Sequence, residues 1–139
     1  MNRGEWRNLA AERVLDAQAL LNAGRWACAY YVAGYAAECG LKACVLARVE
    51  KSGVIFDDPK FAEQVRIHKL DRLMKVADLE PRFFTAIAAN PVLAGFWGVV
   101  SAWTEESRYQ SKTKTDAQQL YEAITHNPDG ILQWIQQHW

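Results

Sequence analysis

The longest apolar stretch of the chain runs from Trp26 to Ala47, WACAYYVAGYAAECGLKACVLA, with no proline and charge only at Glu38 and Lys42. On a helix turning about 100° per residue, its apolar and small side chains point in nearly every direction. The pattern therefore predicts a central helix covered by other helices on most sides. One stripe departs from it: Tyr31, Tyr35, Glu38 and Lys42 recur three or four residues apart and fall within about 60° of one another. Ala33, Gly34, Ala36, Ala37 and Gly40 are small and let neighbouring helices approach closely. A membrane span is not expected. Glu38 and Lys42 stand one turn apart, and the uncharged run stops at Ala37, short of the ~20 residues a span needs.

From Glu5 to Asn22, Trp6, Leu9, Ala10, Ala17, Leu20 and Leu21 are interleaved with Glu12, Arg13, Asp16 and Gln18, which predicts an amphipathic helix. Gly24 suits the left-handed residue that ends it, and so short a link makes the first two helices antiparallel neighbours. Glu50 to Pro59 predicts a loop, with Asp58 as cap and Pro59 in the first turn of the next helix. Phe61 and Val65 fit one turn, whereas Ile67, Leu70, Leu73, Met74 and Ala77 fit another register, so a break is expected near His68. Pro81 and Pro91 each push the residue before them out of the helical region. A helix is expected from Pro91 to Thr104 on Leu93, Phe96, Trp97, Val100 and Trp103, followed by a polar, basic loop from Ser107 to Lys114. Another should begin at Thr115 with Gln118 completing a capping box, and a last one at Asn127 and Pro128, anchored by Ile131, Leu132, Trp134 and Ile135. Nothing alternates with period two for long enough to form a strand. The fold class is all-α, a helical bundle in a single domain over residues 1–139.

Composition narrows the function classes. Half of the residues are apolar and six are tryptophan, which excludes a disordered chain. Sixteen basic and sixteen acidic residues cancel, leaving no global electrostatic footprint for duplex nucleic acid or an acidic membrane, though a local patch is compatible. The first 24 residues mix charged and apolar positions at helical spacing, unlike a cleavable signal. Cys28, Cys39 and Cys44 all lie on the central helix, where they cannot staple distant segments, and read as small buried thiols of a reducing cytoplasm. The histidines are scattered, so neither a metal nor another cofactor is expected.

Four places are candidates for chemistry. The Tyr31/Tyr35/Glu38/Lys42 stripe is either a polar seam fixed by an i,i+4 ion pair or a groove offering hydroxyls, a carboxylate and an ammonium to a ligand. His68 is either a cap or a tertiary hydrogen-bond donor beside the helix break, or a general base needing a partner. In WTEESRY, Trp103 to Tyr109, Arg108 and Tyr109 suit a phosphate and a stacked base, with Lys112 and Lys114 nearby. Alternatively, Tyr109 plugs the core and Arg108 pairs with Glu105 or Glu106. The fourth is Thr125 to Trp139, with His126, His138 and two tryptophans, of which His138 and Trp139 at the very end read as surface or dimer contacts. No Ser-His-Asp, paired-carboxylate or metal-binding constellation stands out by spacing, so no catalytic residue is assigned.

The run A-x-Y-x-A-G-Y-A-A-E-x-x-L-K from Ala29 to Lys42 resembles the signature of HEPN domains. So do the amphipathic helix before it, the spacing of His68, Leu70 and Leu73, and the pair Arg108-Tyr109. The resemblance spans residues 5–125. It implies a four-helix up-and-down bundle with an additional short helix, commonly homodimeric, in the cytoplasm. It also implies pairing with a nucleotidyltransferase-type protein in a toxin–antitoxin-like module. Many such domains are metal-independent ribonucleases using an Arg and a His with four to six residues between them. Here Thr113, Lys114 and Thr115 stand where a His would follow Arg108. The resemblance therefore implies a non-catalytic, nucleotide- or RNA-binding partner protein with ligand-binding candidates Tyr31, Glu38, Lys42, His68, Arg108 and Tyr109. The alternative is a ribonuclease toxin with a displaced Arg/His site, such as Arg108 with His68.

Overall fold

Asn2 opens the first helix, α1 (Arg3–Asn22), by accepting from the Glu5 N–H at 2.9 Å while the Glu5 carboxylate accepts from the Asn2 N–H at 2.7 Å. That reciprocal box satisfies two donors at the helix start. At the other end Gly24, at φ 71°, turns the chain. Its N–H donates to Leu21 O at 3.1 Å and that of Arg25 to Leu20 O at 2.9 Å, the paired bonds of a Schellman motif. The second helix, α2 (Trp26–Ser52), folds back along the first, and Arg3 at the start of α1 meets Glu50 at the end of α2 at 3.0 Å. The expected antiparallel pair is present. Helix α2 runs past the expected loop start at Glu50 and ends on Gly53, at φ 65°.

The computed structural model describes residues 1–53 and 66–139. The cap at Asp58 and Pro59 and the turn of Phe61 and Val65 lie outside the described residues. Ile67 to Lys69 are non-helical, as the phase break near His68 required, and α3 follows (Leu70–Val76). Next come α4 (Glu80–Ala89), α5 (Pro91–Val100), a 3₁₀ turn η1 (Glu105–Tyr109), α6 (Lys114–Thr125) and α7 (Ile131–Gln136). Asn90 separates α4 from α5 and accepts from the N–H groups of Val92 and Leu93. No strand occurs among the described residues, and the chain is all-α there.

Helix α2 is the axis: α1, α3, η1, α6 and α7 all pack on it. Most of its length is buried, including Ala29, Ala33, Ala36, Ala37, Leu41 and Val45. The small residues act as the sequence suggested. A Cβ on Gly34 would lie 2.2 Å from the indole of Trp103, and one on Gly40 would lie 3.0 Å from Ile135. Phe83 forms a second focus, meeting Trp97 and Trp134 edge-on with centroids 4.8 Å away in each case.

Several local expectations are corrected. Helix α5 stops at Val100 instead of Thr104, because Trp103 leaves the helix to fill the niche over Gly34. The expected loop from Ser107 overlaps η1, whose last residue is Tyr109. Thr113 caps α6 with Asp116, two residues before the expected Thr115 and Gln118. The last helix begins at Ile131 instead of Pro128. His126 holds the preceding turn, its Nδ1 accepting from Asp129 N–H at 3.2 Å and its carbonyl from Gly130 N–H at 2.8 Å. Trp139 is partly buried, with one side packed against the core.

Candidate functional site

The polar stripe of α2 faces η1 and the segment carrying His68. Glu38 is 1 % exposed, and its Oε1 accepts from Lys42 Nζ at 2.7 Å and lies 2.8 Å from His68 Nδ1. Lys42 is also buried, with its ammonium 4.9 Å from the centre of the Trp6 ring. A carboxylate, an ammonium and a π face thus satisfy one another inside the protein. This is the seam arrangement, and it draws Lys42 inward instead of presenting it to phosphate. The other His68 nitrogen, Nε2, lies 3.3 Å from Glu105 at the start of η1. His68 therefore ties α2 to η1, at the edge of a cavity of about 380 Å³ also lined by Lys69, Arg72 and Thr104.

Tyr31 and Tyr35 occupy the N-terminal half of the stripe, with parallel rings 6.2 Å apart, and Tyr31 also stacks on Trp103 at 6.0 Å. Burial, then the neighbouring Cys39 thiol, pushes the Tyr35 phenol up to about 12. Burial likewise pushes the thiols of Cys39 and Cys44 up to about 12, so both are protonated and inert near neutrality. Cys28 breaks the expectation of three buried thiols, because it is exposed.

The Arg108–Tyr109 pair stands outside. Tyr109 is 78 % exposed and plugs no core, and the Arg108 guanidinium lies 4.8 Å from the centre of its ring. Among the described residues Arg108 makes no ion pair with Glu105 or Glu106, and Glu105 is turned to His68 instead. Tyr109 first, and Tyr31 further in, favour the charged form of Arg108.

Arg108 and Tyr31 line a second cavity, of about 360 Å³, together with Arg25, Trp26, Cys28 and Lys112. The chain from α1 to α2 and the residues following η1 meet there. Sequence reasoning missed Arg25. Its only local signal is that an Arg follows the helix-ending Gly24 and so falls at the start of α2. Of the six candidates, the structure groups Glu38, Lys42 and His68 in one cluster and Tyr31, Arg108 and Tyr109 in another. His68 and Arg108 line different cavities, and η1 connects the two.

Comparisons with models of known protein families, with curated proteins and with solved structures returned no match. The chemistry of the site must speak for itself. The Glu38 cluster is internally neutralised, whereas the Arg108 cluster presents cations and aromatic faces outward. The second arrangement suits an anionic ligand carrying a flat group.

Proposed function

We propose that this protein is a non-catalytic, HEPN-like four-helix up-and-down bundle that binds nucleotide or RNA, acting in the cytoplasm as a homodimeric partner of a nucleotidyltransferase-type protein. The observation that carries the binding part is the Arg108–Tyr109 pair, exposed and unpaired with any carboxylate among the described residues. A stacked guanidinium and phenol held on a short turn offer bidentate contact to phosphate and a face for a base. The dimer, the partner and the toxin–antitoxin-like setting rest on the resemblance of Ala29 to Lys42, His68 and Arg108-Tyr109 to HEPN domains. The test is native mass spectrometry of the protein purified gently from its own host. The reading expects two chains retaining a second protein or a nucleotide-sized adduct. A bare single chain would contradict it.

A second reading, a metal-independent ribonuclease, draws on the buried Glu38 carboxylate fixing His68 Nδ1. A carboxylate that orients an imidazole in this way prepares its other nitrogen for proton transfer, although here Nε2 faces the Glu105 carboxylate at 3.3 Å, which would have to turn away. The spacing of His68 and Arg108 on separate cavities counts against their joint use. Cleavage of total RNA by the wild type but not by His68→Ala would favour this reading over the first.

A further inference from the structure

We propose that the cavity at the start of α2 is a phosphate site, in which Arg25, Arg108 and Lys112 hold a phosphate monoester and Trp26 and Tyr31 flank the organic group it carries. The inference rests on the nucleotide- or RNA-binding reading above and makes a narrower claim, because it names the pocket and the chemical group.

The argument begins with charge. The chain as a whole is neutral, sixteen against sixteen, yet this lining brings together Arg25, Arg108 and Lys112 with no carboxylate among its residues. Two of the three cations in the lining, Arg108 and Lys112, are held by rings. Arg108 lies 4.8 Å over Tyr109, Lys112 lies 4.4 Å over Tyr30, and the neighbouring Lys114 lies 5.7 Å over Trp26. An aromatic face positions a cation without cancelling its charge, so the field in the cavity stays positive. Asp116 feels the charge of Lys112, but its carboxylate is engaged by Thr113, whose N–H donates to Oδ2 at 2.9 Å.

The backbone adds to the same field. The Schellman turn fixes Arg25 as the residue before α2, and an Arg has no oxygen with which to cap the first-turn N–H groups. Among the described residues no side chain caps them, and the positive end of a 27-residue helix opens beside Arg25, Trp26 and Cys28. Like charges converging on a positive helix end repel one another, and an anion relieves that repulsion. Size then selects the ligand. A volume of about 360 Å³ exceeds what a lone phosphate fills and lies at the small end of ligand pockets, which suits a phosphate with one organic group attached. A free mononucleotide and the phosphorylated end of an RNA share that chemistry.

Cys28 supplies the readout, since its exposed thiol is on the same lining. The rate of N-ethylmaleimide addition to Cys28 is followed by peptide mass spectrometry with adenosine, adenosine 5′-monophosphate, and one single-stranded RNA with and without a 5′-phosphate. Binding of the same RNAs is followed separately by fluorescence anisotropy. The proposal expects adenosine 5′-monophosphate, but not adenosine, to protect Cys28. It expects Arg25→Gln and Lys112→Gln each to weaken that protection by about tenfold, the equivalent of one lost charged contact, without changing the melting temperature. Protection by 5′-phosphorylated RNA but not by its unphosphorylated form identifies an RNA end as the source, and protection by the mononucleotide alone identifies a free nucleotide. If RNA binds while no phosphate-bearing probe protects Cys28, the pocket proposal is overturned and the binding reading stands. If neither RNA nor mononucleotide binds or protects, both fall.

Discussion

His68 Nδ1 stands 2.8 Å from Glu38 Oε1 across thirty residues of chain, and with its Nε2 3.3 Å from Glu105 the same imidazole joins the central helix to the turn that carries Arg108. Lys42 reaches the same oxygen from the next turn of α2. Because Glu38 and Lys42 are both buried, their charges depend on each other. Glu38→Gln should destabilise the protein by about 3–5 kcal/mol, the usual effect of leaving one member of a buried pair uncompensated. Replacing both with leucine should recover much of that loss. Urea unfolding of the single and double variants measures both effects, and a loss under about 1 kcal/mol for the single variant would show that solvent reaches Lys42.

Gly34 is the position where α2 admits Trp103. A methyl group there would come within 2.2 Å of the indole, so Gly34→Ala has to displace a ring that is 1 % exposed. The variant gains about 1 kcal/mol of helix propensity and should still lose about 2–3 kcal/mol net through overpacking. Thermal melting decides the sign.

Asp78 occupies the left-handed region at φ 59°, and its N–H donates to Lys75 O at 2.9 Å where α3 ends. Glycine takes that conformation without a Cβ penalty. Asp78→Gly should raise stability by about 0.5–1 kcal/mol, a rise of a few degrees in melting temperature.

Burial first, and then the charge of Arg82, hold His138 below the 6.5 of a free imidazole. The unfolded chain therefore takes up this proton more readily than the folded one. The stabilising contribution is full above that ordinary value and is lost as the pH falls through the lower value of the folded state. His138→Gln should lose less stability than the wild type as the pH falls through this window, as read from urea midpoints.

The sequence and the structure agree where local rules act alone. The apolar run of α2, the Gly24 turn, the break before Leu70 and the interruption at Asn90 before Pro91 each follow from a few adjacent residues. They part where distant residues choose. Trp103 keeps helical spacing with Val100, yet it leaves the helix because its niche is built by Gly34, far back in the chain. Thr113 and Thr115 both offer capping boxes, and the one closed by the negatively charged Asp116 prevails, which suits the positive helix start. The stripe was legible as a polar line, but its division into a neutralised seam and an open cationic end depends on which side of η1 each residue meets. Arg25 carries no motif at all, since its cavity exists only once η1 and the residues after it pack beside α2.

The most direct test of the binding account is fluorescence anisotropy of a labelled single-stranded RNA titrated with wild-type protein and with Arg108→Ala, at low and at moderate salt. The account predicts wild-type binding that weakens with salt, and an affinity lower by about tenfold or more for the variant, with little change in melting temperature. Equal affinity for both proteins, no wild-type binding, or a variant that fails to fold would contradict it.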